Sequence, residues 1–218
     1  MKKSKWWLLL AFCLLLLPNL AQAKDIDEIP TVAVMPMTNK APVTMDGFGD
    51  YSGTATESMI FEVASTGRFE CIERDRLQEI VDEHSLNLTG LVDPSRAAEI
   101  GKLFGADYLA FGSVTSLTAK ESGGAAGTGW GIGGMQKHKV SATVMLRVVD
   151  VNTGKIVLFG RGKGKSESTG TMAAGGGVMV MVGSASVSEE QCENAIEKAV
   201  KDAVVGKEGI IAQLDGKR

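Results

Sequence analysis

Residues 139–151 constrain the architecture more than any other stretch of this chain. Val140, Ala142, Val144, Leu146 and Val148 fall on one side of an extended backbone; Ser141, Thr143, Met145 and Arg147 fall on the other. A period of two sustained this long describes a strand with one buried and one open face, the usual state of an antiparallel strand. Asp150-Val-Asn-Thr-Gly154 then reads as a hairpin turn, with Gly154 free to take positive φ, and Lys155–Lys165 reads as the returning strand. On that strand Arg161, Lys163 and Lys165 alternate with Gly160, Gly162 and Gly164, so one face shows three cations and the other is bare.

The rest of the chain supplies partners for this hairpin. Thr31–Met35 is a continuous apolar run ended by Pro36, as expected of a central strand covered on both faces. Thr38 to Gly53 is rich in Gly, Pro, Asp and Asn and reads as a loop. Thr56, Met59, Ile60 and Val63 share one helical face, and Gly67 ends that helix. Arg68–Ile72 reads as a short strand with Phe69 and Cys71 on one side, and Leu77, Ile80, Val81 and His84 as a second helical stripe. Asp93 and Pro94 open a third helix lined by Ala97, Ile100 and Phe104 and closed by Gly105; Tyr108–Leu117 is again strand-like. Ser188 and Gln191 form a capping box before the stripe Cys192, Ala195, Ile196, Ala199, Val200, Ala203. The order β-α-β-α-α-β-β-β-α predicts an α/β fold, a mixed β-sheet with flanking helices. Two glycine-rich stretches, residues 118–138 and 166–187, interrupt this pattern and read as β-hairpin-like insertions outside the core. The domain is expected over residues 24–205, with 206–218 as a C-terminal tail.

The chain opens with Lys2, Lys3 and Lys5, an apolar run of twelve residues from Trp6 to Leu17, and the small-residue site Ala21-Gln22-Ala23. That order is a secretory signal cleaved after Ala23, and the run is shorter than the roughly 20 residues a membrane-spanning helix needs. Cys13, behind bulky Phe12 inside the apolar run, does not fit a lipid-anchor site. Cleavage leaves 20 Lys plus Arg against 26 Asp plus Glu, a balance that argues against a nucleic-acid partner. The expected place is the periplasm, in association with the outer membrane. Cys71 and Cys192 both sit on inward-facing patterns; buried thiols are favoured over a mutual disulfide there.

Catalytic chemistry is sparse. His84 lies at helical spacing from Leu77 and Val81 and reads as a packed side chain, and His138, between Lys137 and Lys139, as a solvated loop residue. These and two inward cysteines make no metal spacing. Gly129-Trp-Gly131-Ile-Gly133-Gly134 fits the dinucleotide fingerprint formally, but a strand follows where a helix must open. Gly164-Lys165-Ser166 lacks the first glycine of a phosphate loop. No cofactor and no enzyme activity are expected. The stripe Arg161, Lys163, Lys165 reads as a solvated face or as a contact for an anionic partner or a water-filled lumen.

Four stretches in order resemble the curli production assembly/transport component family, the curli secretion channel. They are Val32-Ala-Val-Met-Pro36, Arg68-Phe-Glu-Cys-Ile-Glu-Arg74 with Leu77, Gly105-Ala-Asp-Tyr-Leu-Ala-Phe-Gly-Ser-Val114, and Val144-Met-Leu-Arg-Val-Val-Asp-Val-Asn-Thr-Gly-Lys-Ile156. Gly131-Ile-Gly133 is similar to the family's channel hairpin. The resemblance implies a periplasmic α/β domain that forms rings at the outer membrane, each subunit adding two β-hairpins to one barrel that exports unfolded fibre subunits. Here those hairpins would centre on Gly129, Trp130, Gly131, Ile132 and Gly133, and on Val178, Met179, Val180, Met181 and Val182. Phe48 and Tyr51 would fall in the constriction loop, although no Asn aligns there. The chain also departs from the channel pattern in lacking the lipid-anchoring cysteine, and in a second insertion without aromatics whose residues 178–182 are apolar on both faces. Three readings remain open: a homo-oligomer that assists assembly or secretion of surface structures with envelope or secreted partners; an outer-membrane pore; and a monomeric accessory of a cell-wall or flagellar machine.

Overall fold

The computed structural model describes residues 29–42, 49–72, 94–128, 130–175, 177–182 and 187–216. The expected signal, the Leu77–His84 stripe and the Asp93 cap lie outside them. The described strands are β1 (Thr31–Val34), β2 (Thr38–Asn39), β3 (Glu70–Cys71), β4 (Tyr108–Thr128), β5 (Gly131–Asp150), β6 (Ile156–Gly175) and β7 (Val178–Val182). The described helices are α1 (Ser52–Ser65), α2 (Pro94–Phe104), α3 (Glu189–Val205) and α4 (Ile210–Asp215). The strands form one mixed sheet in the order β3-β1-β4-β5-β6-β7, with β2 beside β4. β1 runs parallel to β3 and β4, and β4 through β7 are antiparallel.

The apolar run at β1 is used on both faces, as its sequence predicts. Val32 and Val34 join the core beneath α1 and α3, whereas Ala33 and Met35 pack with Ile100 and Phe104 of α2. The alternation in β5 is equally literal: Val140, Ala142, Val144, Leu146 and Val148 are buried and the residues between them are half-exposed. Gly67 and Gly154 take φ of 63° and 65° where the helix stop and hairpin turn require it. Both halves of the Ser188–Gln191 capping box are present at α3. The segment read as a loop after β1 is shorter than expected, because Thr38 and Asn39 pair in parallel with Ser113 and Val114 of β4.

The glycine-rich stretches are not insertions in the backbone sense. β4, β5 and β6 are 21, 20 and 20 residues long, far beyond the usual five or six. The β4–β5 ladder runs from Tyr108↔Asp150 to Thr128↔Gly131 with one irregularity between Val114 and Ser116. Composition changes near residue 118, but the strands carry straight through. What changes is the cover.

That cover is set by a glycine track. Gly160, Gly162 and Gly164 of β6 are buried, and a Cβ added to them would overlap the backbone of Ala203, Ala199 and Ala195 of α3 respectively. The bare face of β6 is therefore the bed of a helix that lays its own small residues on it. The outer edge of β6 is closed by the C-terminal segment. Phe159 N–H donates to Gln213 Oε1 at 3.3 Å, Arg161 N–H to the Glu208 carbonyl at 3.3 Å, and Lys163 N–H to Asp202 Oδ2 at 2.9 Å. Residues 206–216, expected as a tail, thus shield an exposed strand edge and bury Ile210 in the core.

Gly162→Ala should destabilise by about 1–3 kcal/mol or more, since overpacking here meets backbone and not a movable side chain. Gly133→Ala, where an added Cβ meets nothing within 4 Å, should leave the melting temperature almost unchanged. Paired thermal unfolding of the two variants checks this.

Candidate membrane and assembly arm

Beyond Leu117 and Val140 the sheet loses its core. Residues 121–127 of β4 are all exposed, as are Gly133, Met135, Gln136 and Lys137 of β5, and Val178, Met179, Val180 and Val182 of β7. An ordinary two-layer sheet would bury one face; this four-stranded arm leaves most of both exposed, with Gly170 buried. Trp130, at the turn between β4 and β5, is 95% exposed. Ile132, Met135, Met172, Val178, Met179, Val180 and Val182 are large apolar side chains in water in the single subunit. Exposed apolar surface of this kind marks a contact with lipid or protein.

Register sorts these residues onto two faces. On the side of α1 and α3 lie Gly123, Ala125 and Gly127 of β4; Ile132, Gly134 and Gln136 of β5; Met172 and Ala174 of β6; and Met179 of β7. A hollow of about 450 Å³ lies on the arm, lined chiefly by residues of this face, among them Glu121, Gly123, Ala125, Gly134, Gln136 and Met172. The other face carries Ala126, Gly133, Met135, Ala173, Val178, Val180 and Val182. No charged residue occurs in 122–128, 131–136, 168–175 or 178–182. Seven residues of strand span about 23 Å along the strand, which at the tilt of about 35–45° of outer-membrane strands covers about 16–19 Å of an apolar band of about 25 Å. The arm also leaves ladder groups open. Past Ser116 the outer edge of β4, and along β7 the edge away from β6, have no strand partner among the described residues.

At the neck between body and arm the structure corrects one expectation. His138 is not a solvated loop residue: it lies within β5 and its side chain is 0% exposed. Parity decides this, since 138 continues the buried set 140, 142, 144, whereas its lysine neighbours point the other way. Nδ1 lies 3.2 Å from Glu121 Oε1, opposite it in register, but out of hydrogen-bond alignment. Both ring nitrogens, the hydroxyl of Ser168 across the ladder, and Nε2 of Gln191 are buried without hydrogen-bond partners.

The other candidate residues fall as follows. Arg161, Lys163 and Lys165 are exposed on the face opposite the glycine track, together with Lys120 and Lys137 and the half-buried Lys139. Lys139 Nζ lies 2.7 Å from Glu167 Oε1, and this contact holds the Glu167 carboxyl below its usual ionisation range. Gly129 and Phe48 lie outside the described residues. Tyr51 is 4% exposed at the start of α1, committed to the subunit core and not to an open loop. Burial, then the contact of its hydroxyl with Cys192, pushes its ionisation up to about 12. Cys71 and Cys192 are free thiols, each raised above the ordinary thiol range first by burial. Among the described residues no group of three His, Cys, Asp or Glu could hold a metal ion, and no helix is long and apolar enough to cross a membrane.

The fold is a helix-covered mixed sheet whose strands run on as an arm that is uncharged towards its tip and open at its edges among the described residues. Residues 16–214 match the family described as curli production assembly/transport component CsgG, and the chain belongs to it. Solved structures that resemble the chain include the LpoB C-terminal domain from Escherichia coli, 18% identical over 65% of this chain and 86% of that one, TM-score 0.43. Lipoprotein GNA1162 from Neisseria meningitidis is 17% identical over 63% and 83%, TM-score 0.41. The PelC dodecamer from Paraburkholderia phytofirmans is 15% identical over 79% and 85%, TM-score 0.37. A search among curated proteins finds no match.

Two predictions follow from the exposed and the buried aromatic. With the first 23 residues removed, Trp130 is the single tryptophan. Its emission should be that of a hydrated indole in buffer and shift to the blue on adding detergent micelles. Tyr51 acts in the opposite sense. Its ionisation lies above the free value of 10.0, so its contribution to stability is complete below pH 10 and is lost as pH rises towards about 12. Tyr51→Phe should cost about 1 kcal/mol at neutral pH and remove this part of the alkaline decline, read from melting temperature against pH.

Proposed function

We propose that the chain is exported to the cell envelope, where copies associate through their β4–β7 arms and assist the assembly or secretion of surface structures without catalysing a reaction. Membership of the curli assembly/transport family supports an envelope and secretion role. The observation that carries the reading is the arm itself: four adjacent strands, uncharged towards the tip, apolar on both faces and open at both lateral edges. Open edges of this length invite strand addition, and a second copy supplies a matching β4 or β7.

A second reading, an outer-membrane pore, is supported by the uncharged tip of the arm and its exposed apolar side chains, the character of strands that face lipid. Closure through β4 of one copy and β7 of the next would pair the five residues of β7 with part of the open β4 edge, a step towards the full pairing that lipid imposes on any spanning sheet. Both readings share the arm and differ in whether the closed sheet conducts.

The test uses the whole chain, recovered from the membrane fraction in detergent and from osmotic-shock fluid. Heat-modifiable oligomers in detergent, lost when residues 168–187 are removed, are expected. A monomer in the shock fluid, with or without that segment, overturns the assembly reading in favour of a monomeric accessory. Oligomers that give conductance steps in planar bilayers establish the pore; folded oligomers that stay silent leave assembly without transport.

A further inference from the structure

The face of the sheet turned away from α1 and α3 has a charge opposite in sign to the chain. The protein as a whole is net −3. On this face, next to the uncharged tip, register sets Lys120 beside Lys139 and Lys139 beside Glu167, with Lys137 one step nearer the tip and Lys165 one step nearer the body. Like charges directly across a ladder are unfavourable unless something between them offsets the repulsion. Glu167 offsets one of the two through its 2.7 Å contact with Lys139. Lys120 and Lys137 are exposed and make no ion pair among the described residues, Lys137 acting on Glu167 only through its charge.

The position of these ammonium groups matters as much as their sign. The levels of Lys137 and Lys139 are two residues apart, about 7 Å along the strand. A bilayer of about 40–45 Å with a hydrocarbon core of about 30 Å has an interfacial layer of about 5–7 Å on each side. From Lys137 towards the tip this face holds only Met135, Gly133, Gly131, the alanines and glycines of β4 and β6, hydroxyl residues, and the valines of β7. An apolar end followed by lysines within one headgroup thickness is the arrangement in which long cationic side chains reach a phosphate layer while their stems cover apolar surface. At the same level the opposite face presents Glu121, His138 and Ser168, so the cations are confined to one side.

We propose that Lys120, Lys137 and Lys139 form a collar that binds the phosphate headgroups of anionic phospholipids where the arm enters the membrane. This rests on the reading of the arm as a membrane-contacting element. It adds the lipid class and the residues that recognise it. The collar sets the depth of the arm, since moving the lysines into hydrocarbon and lifting the valines into water are both unfavourable.

Co-flotation of the whole chain with vesicles tests it, using phosphatidylcholine alone and phosphatidylcholine mixed with phosphatidylglycerol. The expected result is partitioning on the order of a hundredfold stronger with phosphatidylglycerol, weakened by salt. Combined Lys120→Gln, Lys137→Gln and Lys139→Gln should bring it down to the phosphatidylcholine level while leaving the melting temperature unchanged. Val180→Asp should reduce flotation with both vesicles. Equal flotation with the two lipids, or a triple variant that floats as the parent does, overturns the collar and leaves the membrane arm standing. Flotation with neither lipid overturns both. A triple variant that loses self-association in detergent-free buffer overturns the collar in favour of a contact between copies.

Discussion

The approach of α3 to β6 governs the rest of the structure. Ala195, Ala199 and Ala203 recur every four residues on the helix, and Gly160, Gly162 and Gly164 recur every two on the strand, so backbone meets backbone along the contact. No side chain separates the layers there. The helix is fixed close to the sheet, its flanks reach the neighbouring strands, and Cys192, Ile196, Val200 and Val204 complete the core with β5 and α1. The same contact frees the other face of β6. Because the glycines carry no packing burden outward, Arg161, Lys163 and Lys165 can be charged without cost to the core. The track ends at Gly164; Ser166 and Ser168 follow, α3 begins at Glu189, and the strands continue without a helix above them. Body and arm are one sheet divided by where the cover of α3 stops.

That division explains the polar cluster at the neck. A buried imidazole, a buried hydroxyl and a buried amide nitrogen without partners are unfavourable, each by about 1–3 kcal/mol. They sit at the one level where the sheet passes from dry core to open arm, with Glu121 at the rim, 48% exposed beside His138. A wholly apolar neck would extend the hydrophobic surface of the arm down onto the body and blur the end of the core. Polar groups at 121, 138, 168 and 191 mark that end on the helix-bearing face, and the lysines of 120, 137 and 139 mark it on the other. The two faces of one level are therefore chemically distinct.

Local periodicity made much of the body legible. The alternation through β5, the turn at Gly154, the two-faced run of β1, the helix stop at Gly67 and the capping box before α3 are all short-range patterns, and all stand in the structure. What local reading missed is long-range. The purpose of Gly160, Gly162 and Gly164 appears only when they are set against alanines some 40 residues on. The lysine neighbours of His138 suggest a solvated position, whereas extending the even-numbered series by one step buries it. Residues 206–216 look like a tail until the open edge of β6 gives them carbonyls and amides to close. Tyr51 looked available in a loop; its contact with Cys192, 141 positions away, commits it to the core. The arm was visible as two odd compositions, but its continuity with the body strands was not, since glycine-rich sequence suggests a break in a strand and here it is a continuation.

The arm also changes what the stability of the subunit is for. A sheet exposed on both faces and open at both edges gains little from its own side chains, so its backbone order is lent by the body, through a ladder that joins residues 108–128 to 131–150 with a single irregularity between Val114 and Ser116. The body must then hold more than its own share of order, and a dry two-sided core with a helix set directly on backbone is suited to that load. The arm, relieved of packing, keeps small residues at its glycine and alanine positions and large exposed apolar ones at Met135, Met172, Met179 and the valines of β7. Strands of uniform apolar packing would collapse onto each other or onto the body. Strands held open by a rigid base keep their edges available for pairing.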